Sequence, residues 1–138
     1  MNKSLRVLVS LVLLALLAAC AGEAKKTDPF DKILAGYSAA IRWSEWDEAI
    51  EFVDPVERAR QPLTDLERER FKLIQVTSYE VKRKRMTPEG TFEQVVEIRL
   101  ISKNTQRERM ITDHQVWTWD DVAKRFWLSS GLPDFTAQ

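Results

Sequence analysis

Asp113 and His114 stand side by side in a stretch, about Arg107 to Trp119, whose alternation reads as a β-strand. A carboxylate and an imidazole are the usual agents of general acid–base chemistry. Neighbours on a strand point to opposite faces, so these two cannot form a dyad with each other. Only one of them can face the interior. If Asn104-Thr105 is the tip of a two-residue loop, Asp113 joins Ile111 and Trp117 on the inward face. A shift of one residue puts His114 there instead, with Met110 and Val116. His114 is the only histidine and Cys20 the only cysteine, which argues against a zinc or copper site built by the protein. No phosphate loop, GxSxG or CxxC pattern occurs. The expectation is a chain with no cofactor and no enzymatic activity, with Asp113 or His114 as acid or base the least favoured alternative.

Five tryptophans, Trp43, Trp46, Trp117, Trp119 and Trp127, are many for a chain of 138 residues. They suit a core, or an aromatic rim around a pocket or partner site, where an apolar body with one polar atom is useful. Trp117 and Trp119 share a face of their strand. The residues named for a pocket or partner surface are Tyr37, Trp46, Asp113, His114, Trp117, Trp119 and Trp127. Lys82-Arg83-Lys84-Arg85 is a basic run. On a strand it splits two and two between the faces. It reads as a solvated hairpin end near Glu93, or as a contact for anionic headgroups or lipopolysaccharide.

The N-terminus carries the clearest address. Lys3 and Arg6 precede a run from Val7 to Ala19 that is apolar except for Ser10. A charged start, a short apolar middle and a small-residue exit describe a secretory signal peptide. The run is short of the roughly 20 residues that cross a bilayer core. Leu17-Ala18-Ala19-Cys20 resembles the lipobox of bacterial lipoproteins. That resemblance implies cleavage between Ala19 and Cys20, a diacylglycerol on the Cys20 sulfur and, usually, an acylated new amine. Each buried CH2 adds about 0.8 kcal/mol, and more than one chain gives stable anchoring. The resemblance also implies a membrane partner through the lipid. Ala21, where an Asp would commonly retain a Gram-negative lipoprotein at the inner membrane, favours the outer membrane facing the periplasm if the source is Gram-negative. With one cysteine no intrachain disulfide forms, so packing alone must hold the exported part together.

Removing residues 1–19 leaves 119 of the 138 residues, with 19 basic against 21 acidic side chains once Lys3 and Arg6 are gone. Such a near-neutral chain excludes a typical nucleic-acid binder. Residues 20–29 read as the lipidated cysteine and a short polar tether, and 30–138 as one domain large enough for a real core.

The elements follow from periodicity and punctuation. Asp28-Pro29 opens a helix whose stripe is Phe30, Ile33, Leu34, Tyr37 and Ile41. Ser44 is expected to cap a second, with Glu45, Asp47 and Glu48 in its first turn and Trp46, Ala49, Ile50 and Val53 as its stripe. Asp54-Pro55 is expected to end it. Thr64-Asp65-Leu66-Glu67 is a capping box opening a short third helix. Strands follow at about Leu73–Met86, Thr91–Ser102, Arg107–Trp119 and Phe126–Ser129, the first two joined by a Thr87–Gly90 turn. In this register Val81 faces Val96, Tyr79 faces Ile98, Thr77 faces Leu100 and Lys84 faces Glu93. Arg83 and Arg85 then lie on the apolar face, beyond the helices. Gly131-Leu132-Pro133 ends the regular structure.

The fold class is α+β, two to three N-terminal helices on a curved four-stranded antiparallel sheet. Tyr37-Ser38-Ala39-Ala40-Ile41 followed by Trp46-Asp47-Glu48-Ala49-Ile50-Glu51-Phe52 resembles the opening of the nuclear-transport-factor-two-like superfamily. That resemblance, over roughly Phe30 to Leu128, implies a cone-like sheet with a pocket at its open end and Arg83 and Arg85 near the mouth. The superfamily's steroid-isomerase branch uses a tyrosine and acidic residues in the cone. Tyr37 could stand at such a place, but the acids match no positions here. The fold hosts enzymes, ligand binders and interaction modules alike. A lipid-anchored, non-enzymatic module for an envelope protein partner is expected first. It requires a filled interior and an exposed apolar or Trp-bearing patch. Binding of a small apolar ligand is the alternative, requiring a pocket lined by Trp and Phe.

Overall fold

The computed structural model describes residues 28–136, and all structural statements concern these. The leader, Ala19 and Cys20 lie outside them. Helix α1 spans Pro29–Arg42. The Asp28 carboxylate accepts a hydrogen bond from the Phe30 amide at 2.8 Å, and Pro29 occupies the first turn, where its missing N–H costs nothing. Tyr37, Ala40 and Ile41 are buried on its inner stripe.

The chain then turns through Ser44, whose φ is +59°. Ser44 is not the expected cap: Glu45 holds that place for α2 (Trp46–Ile50) and makes no side-chain capping bond. The left-handed turn aims the Ser44 hydroxyl at the first strand instead, where its Oγ accepts from the Val76 amide at 3.2 Å. The expected stripe of α2 holds, with Trp46, Ala49, Ile50 and Val53 all buried.

Asp54-Pro55 starts a helix rather than only ending one. Asp54 caps the Val56 amide at 2.7 Å and Pro55 opens α3, Pro55–Arg60. Helix α4, Asp65–Lys72, carries the capping box: the Thr64 amide donates to Glu67 Oε2 at 2.8 Å and the Glu67 amide to Thr64 Oγ1 at 3.2 Å.

Four antiparallel strands follow in sequence order, β1 (Ile74–Met86), β2 (Phe92–Ser102), β3 (Glu108–Asp120) and β4 (Arg125–Leu128). The fold class is therefore α+β, with helices on one face of the sheet. The β1–β2 register is as expected from Ser78 to Val81, but a bulge lies on either side of that stretch. Thr77 is the extra residue of the first, so Val76 and not Thr77 faces Leu100. Both Val76 and Tyr79 thereby turn into the core, which strict alternation forbids. Lys82 is the extra residue of the second, so Lys84 faces Gln94 and Arg85 faces Glu93. This corrects the placing of Arg83 and Arg85: they leave the helix-bearing face. Arg85 Nη2 then meets Glu93 Oε2 at 2.7 Å on the outer side. Two guanidinium groups thus stay hydrated. Lys82 bridges the opposed Glu80 and Glu97 at 2.8 and 2.9 Å.

The core lies between sheet and helices. Tyr37, Ile41, Val96, Ile98, Leu100, Trp117 and Leu128 have no exposed surface. Phe135, beyond the last strand, is equally buried. Its ring packs 4.6 Å from that of Trp46 and 5.4 Å from that of Phe71, and Arg109 Nη2 holds its carbonyl at 2.8 Å.

Candidate functional site

The β2–β3 register pairs Val96 with Asp113 and Val95 with His114. It is the register in which Asn104-Thr105 forms the loop tip, so Asp113 points inward and His114 outward. Asp113 is 5% exposed. His114 is exposed, on the wall of a 230 Å3 outer cleft shared with Arg83 and Glu93. The two residues serve different sides of the sheet.

Inward alternation on β3 brings Asp113, Gln115 and Trp117 to one face, and pairing adds Gln94 from β2. Tyr79 from β1 completes a buried polar cluster beneath α1. Gln115 is its centre. The Gln115 Nε2 amide donates to Asp113 Oδ2 at 2.7 Å and to the Tyr79 hydroxyl at 3.0 Å. Its Oε1 accepts from Gln94 Nε2 at 2.5 Å and from Trp117 Nε1 at 3.3 Å. The Tyr37 hydroxyl is buried with no hydrogen-bond partner among the described residues.

Electrostatics in this cluster follow from desolvation. Burial pushes the Asp113 carboxyl up to about 6, against smaller opposing effects of the Gln115 hydrogen bond and His114. Burial likewise raises Tyr79 to about 12, with Gln115 pulling the other way. Tyr37 stands well above the ordinary tyrosine value, first by burial and then by the Asp113 charge. A carboxyl near 6 beside tyrosine hydroxyls is a set able to exchange protons. Reactants must still reach it, and Asp113 lines none of the described clefts. Tyr79 and Gln94 reach a groove of 540 Å3 between α1 and β1, shared with Leu34, Arg42, Val81 and Lys84, and Gln94 and Gln115 border the outer cleft of His114.

The tryptophans divide. Trp46 and Trp117 are core residues, and Trp46 Nε1 donates to the Phe71 carbonyl at 3.0 Å. Trp119 is 47% exposed, with Nε1 on Asp121 Oδ1 at 2.9 Å. Trp127 faces outward opposite Thr118, bonded to Asp120 Oδ2 at 3.1 Å beneath the Arg125 guanidinium, 3.9 Å from its ring. Trp43 is exposed at the end of α1. Of the residues named from the sequence, Tyr37, Asp113 and Trp117 share the buried interior, and Trp46 joins the Phe71–Phe135 group. His114, Trp119 and Trp127 stand apart. Tyr79, Gln94 and Gln115 are the members the sequence reading did not name for a site. For the two glutamines the signal was a polar residue at an inward position of an otherwise apolar alternation.

No family model matches this chain, and no curated protein and no solved structure matches it. Function therefore has to be argued from the site itself. Among the described residues no group of three or more His, Cys, Asp or Glu is placed to hold a metal. No described helix is long and apolar enough to cross a membrane.

Proposed function

We propose that this chain is an envelope lipoprotein, anchored through Cys20, whose α+β part is a non-enzymatic module for binding a protein partner. The observation that carries the reading is a filled interior. Tyr37, Gln115, Trp117, Leu128 and Phe135 occupy the space between sheet and helices with at most 1% of their surface exposed. The recesses that remain are peripheral. One of 310 Å3 has an apolar floor of Ile50, Val53, Leu63 and Phe71 inside a rim that includes Glu57 and Arg70. An apolar centre within a polar rim is the make-up of a protein contact surface. Among the described residues this recess is not the Trp- and Phe-lined pocket that a small apolar ligand requires: Phe71 is the single aromatic on its floor.

Cross-linking of the lipidated protein in its own envelope, joined to native mass spectrometry of the purified chain, tests this. The expected result is one defined protein adduct, no co-purified small molecule, and the same adduct from a folded Asp113→Asn, Tyr37→Phe double variant. A stoichiometric apolar ligand overturns the reading in favour of the alternative. Loss of the cellular phenotype in that double variant, with the adduct intact, overturns it in favour of an enzyme.

A further inference from the structure

The two turns Thr87–Thr91 and Asp121–Lys124 lie at the same end of the sheet, because Phe92 pairs with Trp117 and β3 runs on to Asp120. The start of α1 packs onto that end. The Phe30 ring is 5.0 Å from Phe92 and 4.0 Å from Phe126, and Phe126 is 5.3 Å from Trp119. An aromatic row thus runs from β2 across the first turn of α1 to the tip of β3. Exposed apolar side chains flank it: Met86 at 55%, Trp119 at 47% and Val122 at 95%. Nothing in the fold requires a valine at the crown of the β3–β4 turn, where a polar residue would be better hydrated.

The occupant follows from where the chain enters. Cys20 is eight residues before Asp28, a reach of at most about 28 Å when fully extended. A compact chain of this length is itself roughly 30 Å across. That leash keeps the end of the fold that holds Phe30 within about 28 Å of whatever holds Cys20, nearer on average than the opposite end. We infer that Met86, Trp119 and Val122, the exposed edge of the row backed by Phe30 and Phe126, rest in the interface of the bilayer that carries the lipid on Cys20. This rests on the lipid anchor proposed above. Trp119 has the form such a place favours, an apolar ring with one polar atom directed at Asp121. The surrounding charges are mixed, Lys84, Arg85 and Lys124 against Glu89, Glu93 and Asp121. Contact is therefore apolar rather than ionic, and high salt leaves it in place. It also turns the 310 Å3 recess, whose wall includes the Leu132–Asp134 segment leading to Phe135, away from the membrane.

The mature, lipidated protein in vesicles containing brominated phospholipid tests this through quenching of tryptophan fluorescence. Trp119→Phe is expected to remove more than half of the quenching, and Trp43→Phe to leave it unchanged. Val122→Asp is expected to reduce it at least twofold, and 1 M salt to have no effect. Equal quenching in wild type and Trp119→Phe overturns the inference, as does quenching abolished by salt. Intact-mass measurement of the same sample separates the two claims. A mature chain lacking acyl mass on Cys20 refutes the anchor, whereas an acylated chain with unquenched Trp119 refutes only the resting surface.

Discussion

Replacing Asp113 by Asn removes a charge that the fold holds at a cost. The carboxyl titrates near 6 in the folded protein, against an ordinary value of 3.8. A folded value above the unfolded one means that the native state binds the proton more tightly. The group's contribution is then fully favourable below about pH 4 and is lost as pH rises through 6. Two pH units between the states correspond to about 3 kcal/mol of folding free energy given up by pH 7 to 8. An amide of the same shape still accepts the hydrogen bond from Gln115 Nε2 and has no charge to desolvate. Asp113→Asn is therefore expected to match the wild type near pH 4 and to exceed it by about 3 kcal/mol at pH 7.5. For a chain of this size that is a rise in Tm of roughly 10–15 °C. Urea denaturation of both proteins from pH 4 to 8 measures it. Taking the difference cancels the acid-side loss from Glu67, Glu80 and Asp120, whose carboxyls are held below their ordinary values. Two curves separated by a constant amount across that range would refute the reasoning. So would a carbon-13 titration placing Asp113 below 4.5.

Three further outcomes follow from the packing. Tyr37→Phe removes a buried hydroxyl with no partner among the described residues, and thermal melting should show a gain of about 1 kcal/mol rather than a loss. Thr64→Ala removes the hydroxyl that accepts from the Glu67 amide while leaving the Thr64-position backbone N–H on Glu67, and urea titration should show a loss of about 1 kcal/mol with an unchanged m-value. Phe135→Ala opens the space between Trp46 and Phe71. It should cost about 3–5 kcal/mol and shift tryptophan emission to the red as water reaches Trp46.

Much of the frame is legible in the sequence because it is written locally. The α1 stripe and the Thr64 box depend on residues a few places apart, and the β1–β2 pairing about Val81 and Val96 on one short turn between neighbouring strands. The bulges at Thr77 and Lys82 are not written that way. Each is an insertion chosen because burying Val76 with Tyr79, and hydrating Arg83 and Arg85, outweighs unbroken alternation. Ser44 had the right chemistry for a cap, but its left-handed φ gave the hydroxyl to β1. The choice between Asp113 and His114 turned on one residue of loop length, which periodicity cannot fix. The Gln115 cluster needs the registers of three strands at once. Phe135 sits in a segment with no period at all, so nothing marked it as core.

The position of Phe135 has a consequence for how the molecule comes into being. It follows every other core residue in the chain. A polypeptide emerging from its N-terminal side, from a ribosome or through a translocation channel, has the whole sheet available while the seat formed by Trp46 and Phe71 is still vacant. Until residue 135 emerges the nascent molecule carries an open greasy socket, and closure waits on that one residue.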